Sequence, residues 1–385
     1  MKLAQMRNRA KVGLALVVIG VVLGWGSCSR HVRAARLLSR FSDAQSVPAG
    51  IDETSFMLDT PTGPTRAKIY SPHGSSHLPG IVIVPGVHHL GVDEPRLQRF
   101  ARAIAASGIT VMTPECKELT DYQIQASSIG TIGAAADELA KRVGRTQVGV
   151  MGMSFAGGLA LLAAATDSTK KSIGFVVAVG AHDDIRHVAR FFAKNEALEP
   201  NGNIVHMRAH PYGIMVLAYE HVEDFFAKED VPVAHDAMRD WLWEDKAPAR
   251  ELEKKMTLAD QAKFDLLAEP PPADAKSGVF PEHPLANEIM SSLELYGPAL
   301  DAVSPHGHLA SIHVPVYLVH GAGDDVIPMT ETEWLAEDVP KEELREVLIS
   351  PALQHVELQG EPTFSQKWDL VHFMARVLAE AQSEK

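Results

Sequence analysis

Cysteine is nearly absent: the 385-residue chain has two, Cys28 and Cys116. A disulfide framework or a thiolate metal cluster needs more, so neither organises this fold, and disulfide usage does not reveal the compartment. Acidic residues are missing from the first 40 positions, which carry eight basic ones (Lys2, Arg7, Arg9, Lys11, Arg30, Arg33, Arg36 and Arg40). The formal net charge is −13, so the rest of the chain holds 28 basic residues against 49 acidic ones. A body that acidic repels phosphate backbones, which excludes nucleic acid as an expected partner. The 18 histidines show neither His-Glu-x-x-His spacing nor a cysteine partner. Their clusters are His88-His89, His182 beside Asp183, and His306, His308 and His313. The first pair is expected at a cleft mouth and the trio in a solvated loop, with no catalytic metal. His372 falls within the last helical pattern, packed or exposed there. There is no internal repeat and no low-complexity tract.

What is present begins with an uncharged run of 17 residues, Val12 to Cys28, between basic flanks. That length is at the short end of a membrane-spanning helix and long for a signal-peptide core. An uncleaved anchor is the first reading, with a cleaved export signal or lipidation at Cys28 as alternatives. Trp25-Gly26-Ser27 lacks the usual leucine of a lipoprotein box. Basic residues on both sides leave the orientation open. A membrane-anchored or exported protein of a bacterial-type envelope is expected. Residues 29–50, Arg-rich and then polar, read as a linker.

Strand-like stretches follow near 55–60 and 66–72, joined by the turn sequence TPTGPT. GIVIVPG (80–86) is a continuous apolar run, as in a strand buried on both faces. Helices (94–108, 122–144, 156–166) and strands (109–115, 147–154, 174–181) then alternate, the rhythm of a parallel α/β sheet. It breaks over 185–310, a helical stretch, and resumes with strands at 314–321 and 345–350 and helices near 330–338 and 363–382. The expected organisation is an anchor or signal segment (1–28), a linker (29–50), a first core part (51–184), a helical cap insertion (185–310) and a second core part (311–385). The insertion carries Phe191, Phe192, Tyr219, Phe225, Phe226, Trp241 and Trp243, which line an apolar acyl pocket or form the small core of the cap.

GVMGMSFAGG (149–158) places Ser154 where a buried strand gives way to a helix of small residues. A strand–Gly-x-Ser-x-x-Gly–helix turn lifts a hydroxyl clear of the sheet and points the helix N-terminus at charge developing there. The plainer reading is a serine capping an Ala-rich helix. A nucleophilic serine needs a base, and the base a carboxylate to orient it. HGAGDDVIP (320–328) sets Asp324 just past a buried strand, and LISPALQHVEL (348–358) sets His355 in the loop after the next. Loops at the carboxyl ends of parallel strands open on one sheet edge, so Ser154, Asp324 and His355 can converge. Asp325 adjoins Asp324, and Asp183 or Asp184, after the preceding strand, are rival acids.

On VPGVHH, GMSFAGG, HGAGDDVIP and the late His355, the sequence resembles the α/β-hydrolase superfamily over roughly 55–185 and 311–382. Within it the chain looks most like the dienelactone-hydrolase and bacterial-esterase branches, although GMSFAGG has serine where dienelactone hydrolases have cysteine. The resemblance implies a mostly parallel central sheet with helices on both faces. It implies Ser154 as nucleophile, Asp324 (three positions after the Gly of HG) as acid and His355 as base. It also implies an oxyanion hole from the backbone N–H of Phe155 and of Val87 or its neighbour His88. The expected activity is hydrolysis of a carboxylic ester, a small molecule with an apolar acyl part, through an acyl-enzyme and without a cofactor. Amide hydrolysis, acyl transfer and a non-catalytic binding module are the alternatives.

Overall fold

The computed structural model describes residues 28–43, 45, 47–74, 77–270, 280–355, 357–358 and 362–383. The Val12–Cys28 run, and with it the choice between anchor, signal and lipidation, lies outside these residues apart from Cys28, which is exposed. No helix among the described residues is long and apolar enough to cross a membrane.

Helix α1 spans residues 28–42. The strands β1 (Ile51–Leu58) and β2 (Thr65–Pro72) form a hairpin, followed by β3 (Gly80–Val84), α2 (Pro95–Ala105), β4 (Thr110–Pro114), α3 (Lys117–Thr120) and α4 (Ser127–Val143). Next come β5 (Val148–Met153), α5 (Phe155–Ala165) and β6 (Ile173–Val179). The insertion holds α6 (Ile185–Lys194), β7 (Glu196–Leu198), β8 (Ile204–His206), α7 (Tyr212–Glu220), α8 (Val231–Leu242), α9 (Lys246–Glu253), α10 (Leu258–Ala268), α11 (Ala286–Leu295) and α12 (Gly297–Val303). The sheet resumes with β9 (Val316–Gly321), α13 (Thr330–Asp338) and β10 (Leu344–Ser350). A short pair, β11 (Leu353–Gln354) with β12 (Glu357–Leu358), precedes α14 (Phe364–Gln382), which starts at a reciprocal Thr363–Gln366 capping box.

Eight strands form one sheet in the order β1-β2-β4-β3-β5-β6-β9-β10. β2 runs antiparallel to both neighbours, and every pair from β4 to β10 is parallel. This is the α/β-hydrolase architecture that the resemblance implies. The chain winds from β3 outward to β4 and then returns past β3 to β5, so the direction reverses between β3 and β5. Open α/β sheets bind ligands at the carboxyl ends of strands beside such a reversal.

Alternate strand residues feed two cores. Val82, Val84, Val150, Val176, Ala178, Val316 and Leu318 join α4, α5 and the insertion helices on one face. Ile81, Ile83, Met151, Phe175, Val177, Tyr317 and Val319 meet α2 and α14 on the other. Burial on both faces explains why the central strands read as unbroken apolar runs.

Two local expectations change. The 29–50 stretch is not a plain linker: α1 lies within it, and Ala34 and Leu37 are fully buried in the second core. They sit three residues apart, one turn on the same helix face, and the arginines between and around them disguise the stripe. Helix α4 begins at Ser127 rather than near Tyr122, whose φ of 56° breaks the helix. If α1 belongs to the folded body, Leu37→Ala will cost about 2–5 kcal/mol in denaturant unfolding of the full chain. A loss near zero would return the segment to a mere connector.

Candidate active site

The β5–α5 turn is set by how closely its strand and helix approach. A side chain at Gly152 would run into the carbonyl of Ala156, and one at Gly157 would come within 2.6 Å of the Ala181 methyl. Ser154 occupies φ 56°, ψ −135° at the head of α5, a backbone conformation few non-glycine residues adopt. Its backbone N–H donates to Val179 O at 2.8 Å, tying the turn to the end of β6. The Oγ caps no backbone group, which removes the plainer reading of Ser154 as a side-chain helix cap. It is shielded from solvent and has no hydrogen-bond partner among the described residues, and the residue is 3% exposed.

Gly86, in the loop after β3, faces this serine: a methyl there would lie 2.9 Å from Ser154 Cβ. The loop's backbone therefore passes close against Ser154. The backbone N–H of His88 donates to Leu119 O at 3.2 Å, so between the two residues expected to offer an oxyanion donor it is His88 that is already engaged.

Asp324 follows β9 and is fully buried. One carboxylate oxygen accepts from the N–H groups of Val326 and Ile327 at 2.9 and 3.0 Å; the other lies 2.9 Å from His355 Nδ1. Burial pushes this carboxyl up, but the charge of His355 and hydrogen bonds from His320 and His355 outweigh it and hold it well below the usual carboxylate range. His320, buried at the end of β9, spans the loop. Its Nε2 lies 2.8 Å from Ile327 O and 3.4 Å from Asp324, and its Nδ1 2.6 Å from the Thr332 hydroxyl. The sequence reading passed over His320, which stands at the start of HGAGDDVIP but outside the pattern of nucleophile, acid and base.

His355 itself has φ 51° and sits at the turn after β11. That turn crosses Gly321 so closely that a methyl there would lie 2.6 Å from Leu353 O. Gly180, ending β6, stands between the two halves of the site. A methyl on it would be 3.4 Å from Asp324 Oδ2 and 3.8 Å from His355 Nδ1, while the preceding residue, Val179, bonds Ser154. His355 was expected to bond both Ser154 and Asp324; among the described residues it bonds Asp324 and not Ser154.

Of the rivals, the carboxylates of Asp183 and Asp184 are engaged elsewhere. Asp184 caps α6 through the N–H of Arg186, and Asp325 accepts from His210 N–H through its backbone oxygen. Asp183, fully buried, lies 2.9 Å from His306 Nδ1, which in turn is 3.1 Å from Asp338. Among the described residues, these three are the group able to gather around a cation, their ligand atoms all within 4.8 Å of one another. The spacing is that of an imidazole hydrogen-bonded between carboxylates. Burial, with the charges of Glu331, Asp338 and Asp184, pushes Asp183 up to about 9.

The insertion meets the same sheet edge: Tyr122 OH donates to Leu242 O at 2.8 Å, and His210 N–H reaches the Asp325 loop. Of its aromatics, Phe191, Phe192, Tyr219, Phe225 and Phe226 are buried in the first core, and Trp241 packs partly buried against it. They form the core of the insertion rather than a pocket wall. Trp243, 42% exposed, stacks on His89 at 5.7 Å between ring centres, and His89 stacks on His88 at 4.8 Å. His88 and His89 thus stand next to Val87 in the chain segment that follows Gly86.

No protein-family model matches the sequence, and no curated protein does. Among solved structures, the chain is similar to the 2,6-dihydroxy-pseudo-oxynicotine hydrolase, with 14% identity over 86% of this chain and 70% of that one and a TM-score of 0.47. It is also similar to an esterase from Pyrobaculum calidifontis, with 13% identity over 94% and 93% of the two chains and a TM-score of 0.44. The acylaminoacyl peptidase of Pyrococcus horikoshii is 10% identical over 87% of this chain and 43% of its own, at a TM-score of 0.49. At these values the fold assignment rests on the strand order above.

Asp183 allows a test. Its raised carboxyl keeps a proton in the folded state that the unfolded chain has lost between about pH 4 and pH 9. The folded state then binds more protons, so this group's contribution to stability falls as pH rises through that window. Asp183→Asn will flatten that fall, with the gain over wild type growing toward alkaline pH in urea unfolding curves. A gain that instead grows toward acid would show Asp183 to be ionised.

Proposed function

We propose that the chain is a serine hydrolase that cleaves a carboxylic ester through an acyl-enzyme. The observation that carries this is the strained strand-to-helix turn presenting Ser154 on the same sheet edge as a buried Asp324–His355 pair. In this reading Ser154 Oγ attacks the ester carbonyl while His355 Nε2 takes its proton. Asp324 accepts from Nδ1–H, which holds the imidazole in the tautomer that leaves Nε2 free and then stabilises the imidazolium. The N–H of Phe155, at the first position of α5, and that of Val87 stabilise the tetrahedral oxyanion; His88 is less suited, because Leu119 O holds its N–H. Collapse of the intermediate expels the alcohol, protonated by His355. Water, deprotonated by the same histidine, then releases the acid and restores Ser154. The scheme needs no cofactor. The acidic body is held at a membrane through the uncharged Val12–Cys28 run.

A fluorophosphonate probe will label the wild-type protein at Ser154, and Ser154→Ala will lose both labelling and ester turnover while unfolding like wild type. Asp324→Asn will lower turnover on the order of 10⁴-fold, as in the serine protease triad. Asp183→Asn will stay near wild type. Full turnover in Ser154→Ala, or collapse in Asp183→Asn with Asp324→Asn unaffected, would overturn the assignment. A panel of matched esters and amides tells which bond is cleaved.

A further inference from the structure

The uncharged run ends at Cys28, the first described residue, which already lies in α1, so no spacer residues separate the run from the described helix. Because Ala34 and Leu37 are packed into the second core, α1 is fixed to the body. An anchor in residues 12–28 therefore brings one face of the body to the bilayer, the face around the first turns of α1.

That face is unlike the rest of the surface. The His31 ring stacks on Trp368 at 5.3 Å with 11° between planes, and Trp368 on Phe364 at 6.4 Å with 17°. His31 Nε2 also lies 3.1 Å from His372 Nδ1, which joins α1 to α14. Although these rings are ordered against one another, Phe364 is 82% exposed, Trp368 49% and Val32 42%. Large apolar side chains gathered on a surface mark a contact site, and tryptophan in particular favours the membrane–water boundary. Arg30, Arg33 and Arg36 lie on α1 and Lys367 on α14, with Asp369 the acidic residue among the exposed positions of the first two turns of α14. The rest of the chain is strongly acidic, so this is its basic corner.

We propose that the face formed by the first turns of α1 and α14 seats on an anionic lipid surface. Phe364, Trp368 and Val32 enter the headgroup region, and Arg30, Arg33 and Arg36 meet lipid phosphates. This goes beyond tethering, since it fixes which side of the body faces the bilayer, and it rests on the reading of Val12–Cys28 as the anchor. The acidic remainder, repelled by the same lipids, is held away from them.

The test uses the full-length chain reconstituted into phosphatidylcholine vesicles with and without phosphatidylglycerol, a fraction of the lipid being brominated to quench tryptophan. The chain has five tryptophans, of which Trp25 lies in the apolar run. Wild type will show a quenched component that Trp368→Phe lacks, larger with phosphatidylglycerol and reduced by salt, while the protein stays in the vesicle pellet. Arg30→Gln and Arg33→Gln, with every tryptophan kept, will each weaken the anionic-lipid part of that component about fivefold in the seating equilibrium. Protein that pellets with vesicles yet is quenched identically in wild type, Trp368→Phe and the arginine variants would overturn the seating and leave the anchor. Protein that fails to pellet would overturn both.

Discussion

The crowding between β5 and α5 is the constraint on which the site depends. Only because residue 152 has no side chain can the carbonyl of Ala156 come so near, and only then can the chain turn within one residue from strand to helix. That residue is Ser154, left in a costly backbone conformation. The strain is sustained by its surroundings: β5 is hydrogen-bonded between β3 and β6, and α5 is buried along nearly its whole length. A second close approach, from Gly86, brings the β3 loop against the serine from the opposite side. The geometry is thus a product of packing density, imposed by small residues at a few positions.

Carboxylates on one sheet edge have been driven apart by their surroundings. Asp324 is met by two backbone N–H groups and by His355, all of which favour the charged form. Asp183, as deeply buried and also beside a histidine, His306, faces Glu331, Asp338 and Asp184, which disfavour it. Burial alone would raise both; the sign of the neighbouring groups decides between them. Spacing along the chain does not reveal this, since both residues follow a buried strand by a few positions.

Much of the architecture was legible because its signals are local. β3, β5 and β9 announce themselves as apolar runs, since both faces are buried, and the Ser154 turn announces itself by glycines. Asp324 and His355 could be placed because adjacent parallel strands carry them to the same edge. What was not legible depends on partners distant in sequence. Ala34 and Leu37 are two apolar positions among arginines, and only the sheet face they pack against gives them meaning. His320 is recognisable as a brace only once Ile327 and Thr332 are seen around it. Gly180 matters because the Asp324–His355 pair and Ser154 lie on either side of it. The aromatics of the insertion fit a pocket or a core equally well by composition, and packing resolved all but the exposed Trp243 into a core.

The shielding of Ser154 Oγ has a kinetic consequence. A hydroxyl without exposed surface cannot meet a carbonyl carbon in this arrangement, whatever its intrinsic reactivity. If Ser154 is the nucleophile proposed above, reaction with an acylating molecule would require an arrangement in which the hydroxyl is uncovered. The apparent rate constant is the intrinsic one multiplied by the fraction of molecules so arranged. Between the insertion and the rest of the body stand hydrogen bonds such as Tyr122 to Leu242 and His210 to Asp325. Each is a single neutral bond of modest net strength in water. On the serine-hydrolase reading proposed above, one and the same cover would protect an acyl-enzyme from stray nucleophiles and slow the admission of bulky substrates, so that neither could be altered without the other.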